Sequence, residues 1–211
     1  MWPTDENREA WEQRFGPRED GVHGLPDAVR ERLPTLEGKH VLHLPCGTGE
    51  VAAELTELGA LVSGVDPSEA KLAVARQRAP DAAFFQAELD ELPLQFRRHR
   101  FALVYASEGT LAAVRELGPF ASALNGALRK NGRLILYDWH PVSLCIDPVG
   151  LRWRESYFTE GLWRLGEIAV AFGSTLDVTE IAELPAPAGE HGSARLDPRL
   201  PATFLLDATR P

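Results

Sequence analysis

Residues 41–66, VLHLPCGTGEVAAELTELGALVSGVD, decide the fold of this chain. The first four are a short apolar run that predicts a strand, and a tight turn containing Gly47 and Gly49 follows. The apolar residues Val51, Leu55 and Leu58 come next, and their spacing predicts a helix. Gly59 stands where a helix is expected to end, and a second apolar run ends in Asp66. The stretch therefore predicts a strand, a glycine turn, a helix and a second strand tipped by a carboxylate.

A unit of this kind is how a doubly wound parallel sheet holds a nucleoside cofactor. Glycines let the cofactor approach the backbone, the helix N-terminus offers free N–H groups, and the acid accepts hydrogen bonds from ribose hydroxyls. Glycine turns also form for packing alone, but here Asp66 ends the next strand, and this context favours a cofactor site. The spacing of Gly47, Gly49 and Ala52 also fits the dinucleotide fingerprint, so an NAD-dependent oxidoreductase is the alternative hypothesis.

Five motifs, in order along the chain, resemble those of class I S-adenosylmethionine-dependent methyltransferases. They are the glycine turn HLPCGTG (43–49), the acid VDPS after the second strand (65–68), the adenine-contacting segment QAELDELP (86–93), the fourth strand and its tip FALVYASE (101–108), and the turn LRKNGRL (128–134). The resemblance covers roughly residues 39–140. It is strongest to a branch of small bacterial enzymes, of the kind called methyltransferase type 11 or type 25.

Two residues of the glycine turn depart from the usual family pattern. His43 stands where the family usually has an acid that helps to hold the ammonium group of the cofactor. Pro45 replaces the first glycine, which fixes φ and removes an N–H. The small bacterial branch has a similar L-H-L-x-C-G-x-G turn and a similar His-Pro pair after the fifth strand, so we interpret both changes as a subfamily variant.

The resemblance implies an α/β fold, a Rossmann-like doubly wound sheet of seven strands that is mostly parallel, with one antiparallel C-terminal strand and helices on both faces. It also implies S-adenosyl-L-methionine as cofactor and S-adenosyl-L-homocysteine as product. The residues that the resemblance assigns to cofactor binding are His43, Pro45, Cys46, Gly47, Thr48, Gly49, Asp66, Pro67, Glu88, Leu89, Ala106 and Ser107. A third hypothesis is a non-catalytic member of the same fold that binds the cofactor, or nothing, and acts through a partner.

Methyl transfer from a sulfonium is an in-line displacement that needs no metal, and a general base helps where the acceptor loses a proton. His140 is the first candidate base because imidazole titrates near neutrality, with the equal alternative that it bonds backbone in the His-Pro turn. Glu108 and Tyr105 are second candidates, and Glu108 could instead favour the helix that follows. Arg152 or Arg154 is a candidate partner for a substrate carboxylate.

One domain is expected for the 211 residues. We divide it into an N-terminal helical cap (1–36), a cofactor-binding core (37–140) and a substrate-side tail with a C-terminal hairpin (141–211). The cap includes a helix at 4–15 whose Trp11 either packs on the core or forms part of a lid. Residues 109–129 are predicted to be helical with a break at Gly118-Pro119. The tail is predicted to contain a helix over 161–172, strands over 176–184 and 203–209, and a long loop over 185–201.

Composition limits the function classes. The net charge of −9 disfavours nucleic acid as substrate and leaves a small-molecule acceptor as the expectation. Two cysteines make no disulfide framework, the first residues lack a signal-peptide pattern, and no run approaches the ~20 apolar residues that span a bilayer. These features predict a cytoplasmic protein that does not enter a membrane. His40, His43 and Cys46 could suggest metal ligands, but strand alternation points the two histidines to opposite faces, so no metal is expected.

Overall fold

The computed structural model describes residues 24–146, 152–159, 161–185 and 199–211. The predicted helix at 4–15, with Trp11, and most of the predicted loop 185–201 lie outside these residues. No helix in the described ranges is long and apolar enough to cross a membrane.

A seven-stranded sheet forms the centre of the domain. Its strands are β1 His40–Leu44, β2 Leu61–Asp66, β3 Ala83–Gln86, β4 Phe101–Ala106, β5 Leu128–Trp139, β6 Asp177–Leu184 and β7 Thr203–Thr209. The spatial order is β3-β2-β1-β4-β5-β7-β6, and β1 to β5 are parallel to one another. Of the strands in the described ranges, β7 alone runs against the others, paired antiparallel with both β5 and β6. The predicted Rossmann-like sheet with one antiparallel C-terminal strand is confirmed.

Helices cover both faces of this sheet. They are α1 Asp27–Arg30, α2 Glu50–Glu57, α3 Glu69–Arg78, α4 Leu117–Ala127, α5 Pro141–Leu144 and α6 Leu165–Gly173, with 3-10 turns at Leu94–Phe96 and Leu111–Ala113. On one face, Phe120 of α4 and Phe172 of α6 meet edge to face at 6.3 Å. On the other face, Leu55 of α2 and Leu72 of α3 are fully buried. Two apolar cores therefore sandwich the strands, as expected for a doubly wound sheet.

The segment after β4 differs from the predicted broken helix. Residues 111–113 form only a 3-10 turn, and Gly118 and Pro119 are the second and third residues of α4. A proline in the first helical turn costs no hydrogen bond, because the N–H groups there have no partner within the helix. The Gly-Pro pair therefore starts a helix instead of breaking one. The predicted helix over 161–172 likewise begins later, at Leu165.

Strand β5 also begins earlier than predicted, at Leu128 instead of Arg133. Asn131 has a positive φ of 56°, and the pairing with β4 shifts register between Phe101 and Leu103. The predicted Asn-Gly turn is thus an irregularity that leads into the regular part of the strand. Because β1, β2, β4 and β5 are parallel, their carboxyl ends meet at one edge of the sheet, which is where such sheets bind ligands.

Candidate active site

The glycine turn after β1 is held in place by the end of β2. The carboxylate of Asp66 accepts hydrogen bonds from the backbone N–H of Gly47 and of Ser68, both at 2.9 Å. The N–H of Cys46 donates to the carbonyl of Val65 at 2.9 Å. Asp66 is almost fully buried. In this structure its carboxylate fixes the shape of the turn, and each oxygen keeps a further lone pair for a ligand hydroxyl.

Gly47 and Gly49 of this turn have different surroundings. Both have a positive φ, of 54° and 88°, which disfavours any residue with a side chain. A Cβ on Gly49 would lie 2.8 Å from the Cα of Ala75, so this glycine lets α2 pack against α3. A Cβ on Gly47 would have nothing within 4 Å. Gly47 therefore leaves open space beside the backbone.

That open space belongs to a cleft of about 140 Å³ at the carboxyl edge of the sheet. The cleft collects seven of the residues predicted for the site: His43, Pro45, Cys46, Gly47, Tyr105, Ser107 and Glu108. They come from the end of β1, the glycine turn and the end of β4, which are adjacent because β1 and β4 pair in parallel. Residues distant in sequence thus meet at one place.

The other predicted site residues lie outside the lining of this cleft, namely Thr48, Gly49, Asp66, Pro67, Glu88, Leu89, Ala106 and His140. Thr48 donates its hydroxyl proton to the carboxylate of Glu50 at 2.7 Å. Leu89 and Ala106 are buried in the core, whereas Glu88 is exposed. Arg152 and Arg154 are also exposed and do not line the cleft.

His43 takes part in a short hydrogen-bonded chain at the base of the cleft. The hydroxyl of Ser107 donates to the carbonyl of Pro45 at 2.9 Å, and its oxygen lies 3.2 Å from His43 Nε2. Because the only hydroxyl hydrogen goes to Pro45, Nε2 must carry the imidazole proton and donate to Ser107. Nδ1 is then an acceptor. It is buried and has no hydrogen-bond partner among the residues that the structure describes.

Burial also keeps the ring of His43 uncharged. It lowers the pKa of His43 from 6.5 to about 3, and the ring stacks on Tyr105 with centroids 5.2 Å apart. Burial shifts the pKa of Tyr105 in the opposite direction, well above 10, so its phenol keeps its proton at neutral pH. Tyr105 can therefore donate a hydrogen bond, but it is a poor base.

His140 caps the short helix α5. Its Nδ1 accepts a hydrogen bond from the N–H of Val142 at 3.1 Å, and its Nε2 lies 2.9 Å from an oxygen of Glu183 on β6. Burial lowers the pKa of His140, and Glu183 partly opposes that effect. The structure thus contains the hydrogen bond between His140 and the backbone that the alternative interpretation predicts. The second ring nitrogen lies beside the carboxylate of Glu183. The base role of His140 remains a prediction, and His140 is not among the residues that line the cleft.

Some residues of the cleft were not predicted from the sequence. They are Gly24, Pro26, Glu50, Val51 and Tyr137. Glu50 directly follows the glycine turn, and Tyr137 lies near the end of β5, so position after a motif could have indicated both. No sequence pattern places Gly24 and Pro26, because they reach the cleft only through packing of the segment around α1.

Metal ligation finds no support in the described ranges, where no group of three or more His, Cys, Asp or Glu side chains could hold an ion. Burial raises the pKa of the Cys46 thiol to about 12, so it stays protonated.

Comparison with known proteins decides the family. A family model described as "Methyltransferase domain" matches residues 41–132. The uncharacterized methyltransferase sll0829 of Synechocystis sp. is 32% identical over 165 residues, which are 75% of this chain and 73% of that protein. The chain belongs to the class I S-adenosylmethionine-dependent methyltransferases. It is an enzyme of that class, and S-adenosylmethionine is its cofactor.

Two further relatives of the methyltransferase describe its fold and the range of its family. An S-adenosylmethionine dependent methyltransferase from Mesorhizobium loti superposes with a TM-score of 0.71 at 24% identity, covering 87% of this chain and 96% of that one. The dTDP-3-amino-3,4,6-trideoxy-alpha-D-glucopyranose N,N-dimethyltransferase of Streptomyces venezuelae is 29% identical over 115 residues. That match covers 54% of this chain and only 48% of the relative, so the chain spans about half of that protein.

Proposed function

We propose that this methyltransferase methylates a small molecule. The net charge of −9 opposes binding to the phosphates of nucleic acid. Two acidic residues, Glu50 and Glu108, line the cleft itself. The Streptomyces venezuelae relative is named for a sugar nucleotide that it dimethylates on nitrogen, which is a small acceptor of this kind.

The cofactor would lie along the carboxyl edge of the sheet, over the glycine turn. One observation carries this placement: the backbone of Gly47 borders open space at the base of the cleft. The ribose would lie beside Asp66, whose oxygens each keep a lone pair for a hydroxyl. The adenine would reach the segment with Glu88 and Leu89, which follows β3 on the far side of β2.

The bound cofactor supplies a methyl group on a positively charged sulfur, which is ready for displacement. The chain's own share is to align the acceptor with that methyl, and alignment can contribute ~7–11 kcal/mol. Where the acceptor must lose a proton, we propose Glu108 as the base, because it lines the cleft while Tyr105 stays protonated. Such a base contributes ~10²–10⁴-fold to the rate.

Calorimetric titration with S-adenosylhomocysteine tests the cofactor placement. We expect saturable binding, and NADH, as the control nucleotide, should bind more weakly or not at all. An Asp66→Ala variant should bind S-adenosylhomocysteine less tightly than the wild-type protein, because it loses both the ribose acceptor and the support of the turn. Absence of binding at high micromolar ligand would overturn the placement.

A transfer assay tests the acceptor class. Cell extract is separated by size into a small-molecule fraction and a macromolecular fraction, and each is incubated with the protein and S-adenosylmethionine labelled in its methyl group. We expect label in products of the small-molecule fraction. Label that appears only in RNA, DNA or protein would show that the small-molecule proposal is wrong.

A further inference from the structure

We infer that Asp138 is a positioning residue, which holds the turn at residues 107–110 against β5 and so fixes the place of Glu108 in the cleft. Glu108 is the base of the proposed methyl transfer, so the inference rests on the proposed function. Asp138 itself is almost fully buried and does not line the cleft, so it acts on the reaction through the turn.

The segment that follows β4 begins with a β-turn of one defined type. The N–H of Thr110 donates to the carbonyl of Ser107 at 3.1 Å, which closes the turn. Gly109, the third residue of the turn, has a φ of 88°, whereas the φ of Glu108, the second residue, is not positive. A positive φ at the third position alone defines a type II turn. In a type I turn that φ is negative, and the peptide group between the two central residues is rotated, so its N–H points the other way.

Asp138 accepts the N–H group whose direction distinguishes the two turn types. The strand register pairs Ala106 with Leu136, so Asp138 lies two residues further along β5, beside the turn. One carboxylate oxygen accepts the N–H of Gly109 and the N–H of Trp139, both at 2.8 Å. Hydrogen bonds to an ionised acceptor are among the stronger ones in proteins. The carboxylate therefore selects the type II turn and tethers its middle to β5.

The ends of the turn are anchored separately, to the end of β1. The N–H of Ser107 donates to the carbonyl of Leu44 at 2.8 Å, and its hydroxyl donates to the carbonyl of Pro45 at 2.9 Å. The hydroxyl oxygen of Thr110, which is fully buried, lies 3.2 Å from the carbonyl oxygen of Leu44. Without the carboxylate of Asp138, both ends would therefore stay in place, and the middle of the turn would be free to move.

The tether matters because Glu108 is the corner residue of the turn and lines the cleft. A base must lie within ~2.6–3.2 Å of the proton that it takes, and a misplacement of ~1 Å can cost ~100-fold in rate. Asp138 holds the peptide group that directly follows Glu108, on the β5 side of the turn. It therefore sets the position of the base without touching the substrate.

A double-mutant cycle with Glu108 tests the inference. The measured rate is that of label transfer from S-adenosylmethionine to the small-molecule fraction of cell extract, at saturating cofactor. We expect Glu108→Gln and Asp138→Ala each to lower this rate by about 10- to 100-fold. The double variant should be no slower than the slower single variant, because both changes remove the same correctly placed base. Affinity for S-adenosylhomocysteine should stay within about threefold of wild type in Asp138→Ala, since the ends of the turn remain anchored.

Two further variants separate the tether from a general loss of stability. Asp207 is also an almost fully buried carboxylate, but it pairs with Arg133 and does not line the cleft. Asp207→Ala should lose stability and keep the transfer rate per folded protein. Asp138→Asn keeps one oxygen for the two N–H groups that share an acceptor, so it should recover most of the rate. It gives up only the bond from the N–H of Leu111, which the second carboxylate oxygen accepts at 2.8 Å.

Gly109→Ala tests the same tether without changing Asp138, and it serves where Asp138→Ala does not fold. A residue with a side chain disfavours a φ of 88°, so the turn should leave the geometry in which its N–H meets the carboxylate. We expect a loss of rate here too, with no further loss on addition of Glu108→Gln.

Several outcomes would overturn the inference and leave the proposed function standing. They are a wild-type rate in folded Asp138→Ala (or in Gly109→Ala, if Asp138→Ala does not fold), rate losses that multiply in the double variant, and a full rate in Glu108→Gln beside a loss in Asp138→Ala. A loss of S-adenosylhomocysteine affinity of about tenfold or more in Asp138→Ala would also overturn it, because the turn would then serve the cofactor. Failure of the wild-type protein to bind S-adenosylhomocysteine, or to label any small molecule, would instead overturn the proposed function.

Discussion

At the scale of single residues, the two glycines of the turn have different roles, one in the stability of the fold and the other at the ligand site. Both need a positive φ, which costs an L-residue ~1–2 kcal/mol, but only Gly49 has backbone atoms of a neighbouring helix where a Cβ would stand. A residue type that looks the same in the sequence therefore has two roles. One glycine lets two helices pack, and the other borders the space for a ligand.

Alanine at each position tests this difference. We expect Gly47→Ala to lower the free energy of unfolding by ~1–2 kcal/mol and to weaken S-adenosylhomocysteine binding clearly, since its Cβ stands beside the cleft. Gly49→Ala also places a Cβ 2.8 Å from the Cα of Ala75, so it should lower the free energy of unfolding by a further ~1–3 kcal/mol. Urea unfolding and calorimetry measure the two quantities. Equal stability losses, or unchanged binding in Gly47→Ala, would contradict this account.

The sequence could identify the site residues that belong to a local motif, and it failed where a role depends on distant contacts. His43, Gly47 and Ser107 follow directly from the motifs at the ends of β1 and β4, and all three line the cleft. His140 was a candidate base because its type and position suited that role. Its surroundings include Glu183, which is 43 positions away along the chain and reaches it only through the pairing of β6 with β7.

At the scale of elements, the ends of the sheet show the same distinction between local and distant information. The β1, α2 and β2 unit is confirmed almost residue by residue, because apolar spacing and turn glycines are local signals. The prediction that Gly118-Pro119 breaks a helix is wrong, because a Gly-Pro pair can either end a helix or begin one. The packing of the segment after β4 decides which of the two occurs. Strand β7 matched its predicted bounds, 203–209.

An ion pair between neighbouring strands fixes β7 against β5. Arg133 donates from Nε to the nearly buried carboxylate of Asp207 at 2.8 Å, and its second nitrogen also contacts that carboxylate. We expect Arg133→Ala to lower the free energy of unfolding by ~3 kcal/mol, because it leaves Asp207 charged and unpaired inside the sheet. The matched control is Arg76→Ala, which removes an exposed pair with Glu69 and should cost less than ~1 kcal/mol. Urea unfolding compares the two, and similar losses would refute the role of Asp207.

At the scale of the whole molecule, two buried groups make the stability depend on pH in opposite directions. His43 has its pKa lowered from 6.5 to about 3, so the unfolded chain binds the extra proton and stability falls as the pH drops below 6.5. Asp138 accepts three backbone N–H groups, yet burial raises its pKa from 3.8 to about 6. The folded chain then binds the extra proton, and stability falls as the pH rises from about 4 to 6.

Variants should separate these two opposing effects. When the pH is lowered from 7 to 5, the free energy of unfolding of the wild type should fall by ~2 kcal/mol relative to that of His43→Leu. It should rise by ~1 kcal/mol relative to that of Asp138→Asn, at 1.36 kcal/mol per pKa unit. Urea unfolding of the three proteins at both pH values measures the differences in free energy of unfolding between the wild type and each variant. The contributions of all other titrating groups are the same in each protein and cancel in these differences. Slopes of the same sign for both variants would show that one of the two groups has its pKa shifted the other way.

The position of β7 between β5 and β6 also affects how the protein is made. A ribosome delivers β6 before β7, yet among the described residues β6 pairs with β7 alone. Until residues 203–209 emerge, a nascent chain therefore holds two strand edges, those of β5 and β6, that lack their common partner. Unpaired edges are where chains associate wrongly, so this interval is the one in which chaperones would protect the newly synthesised enzyme.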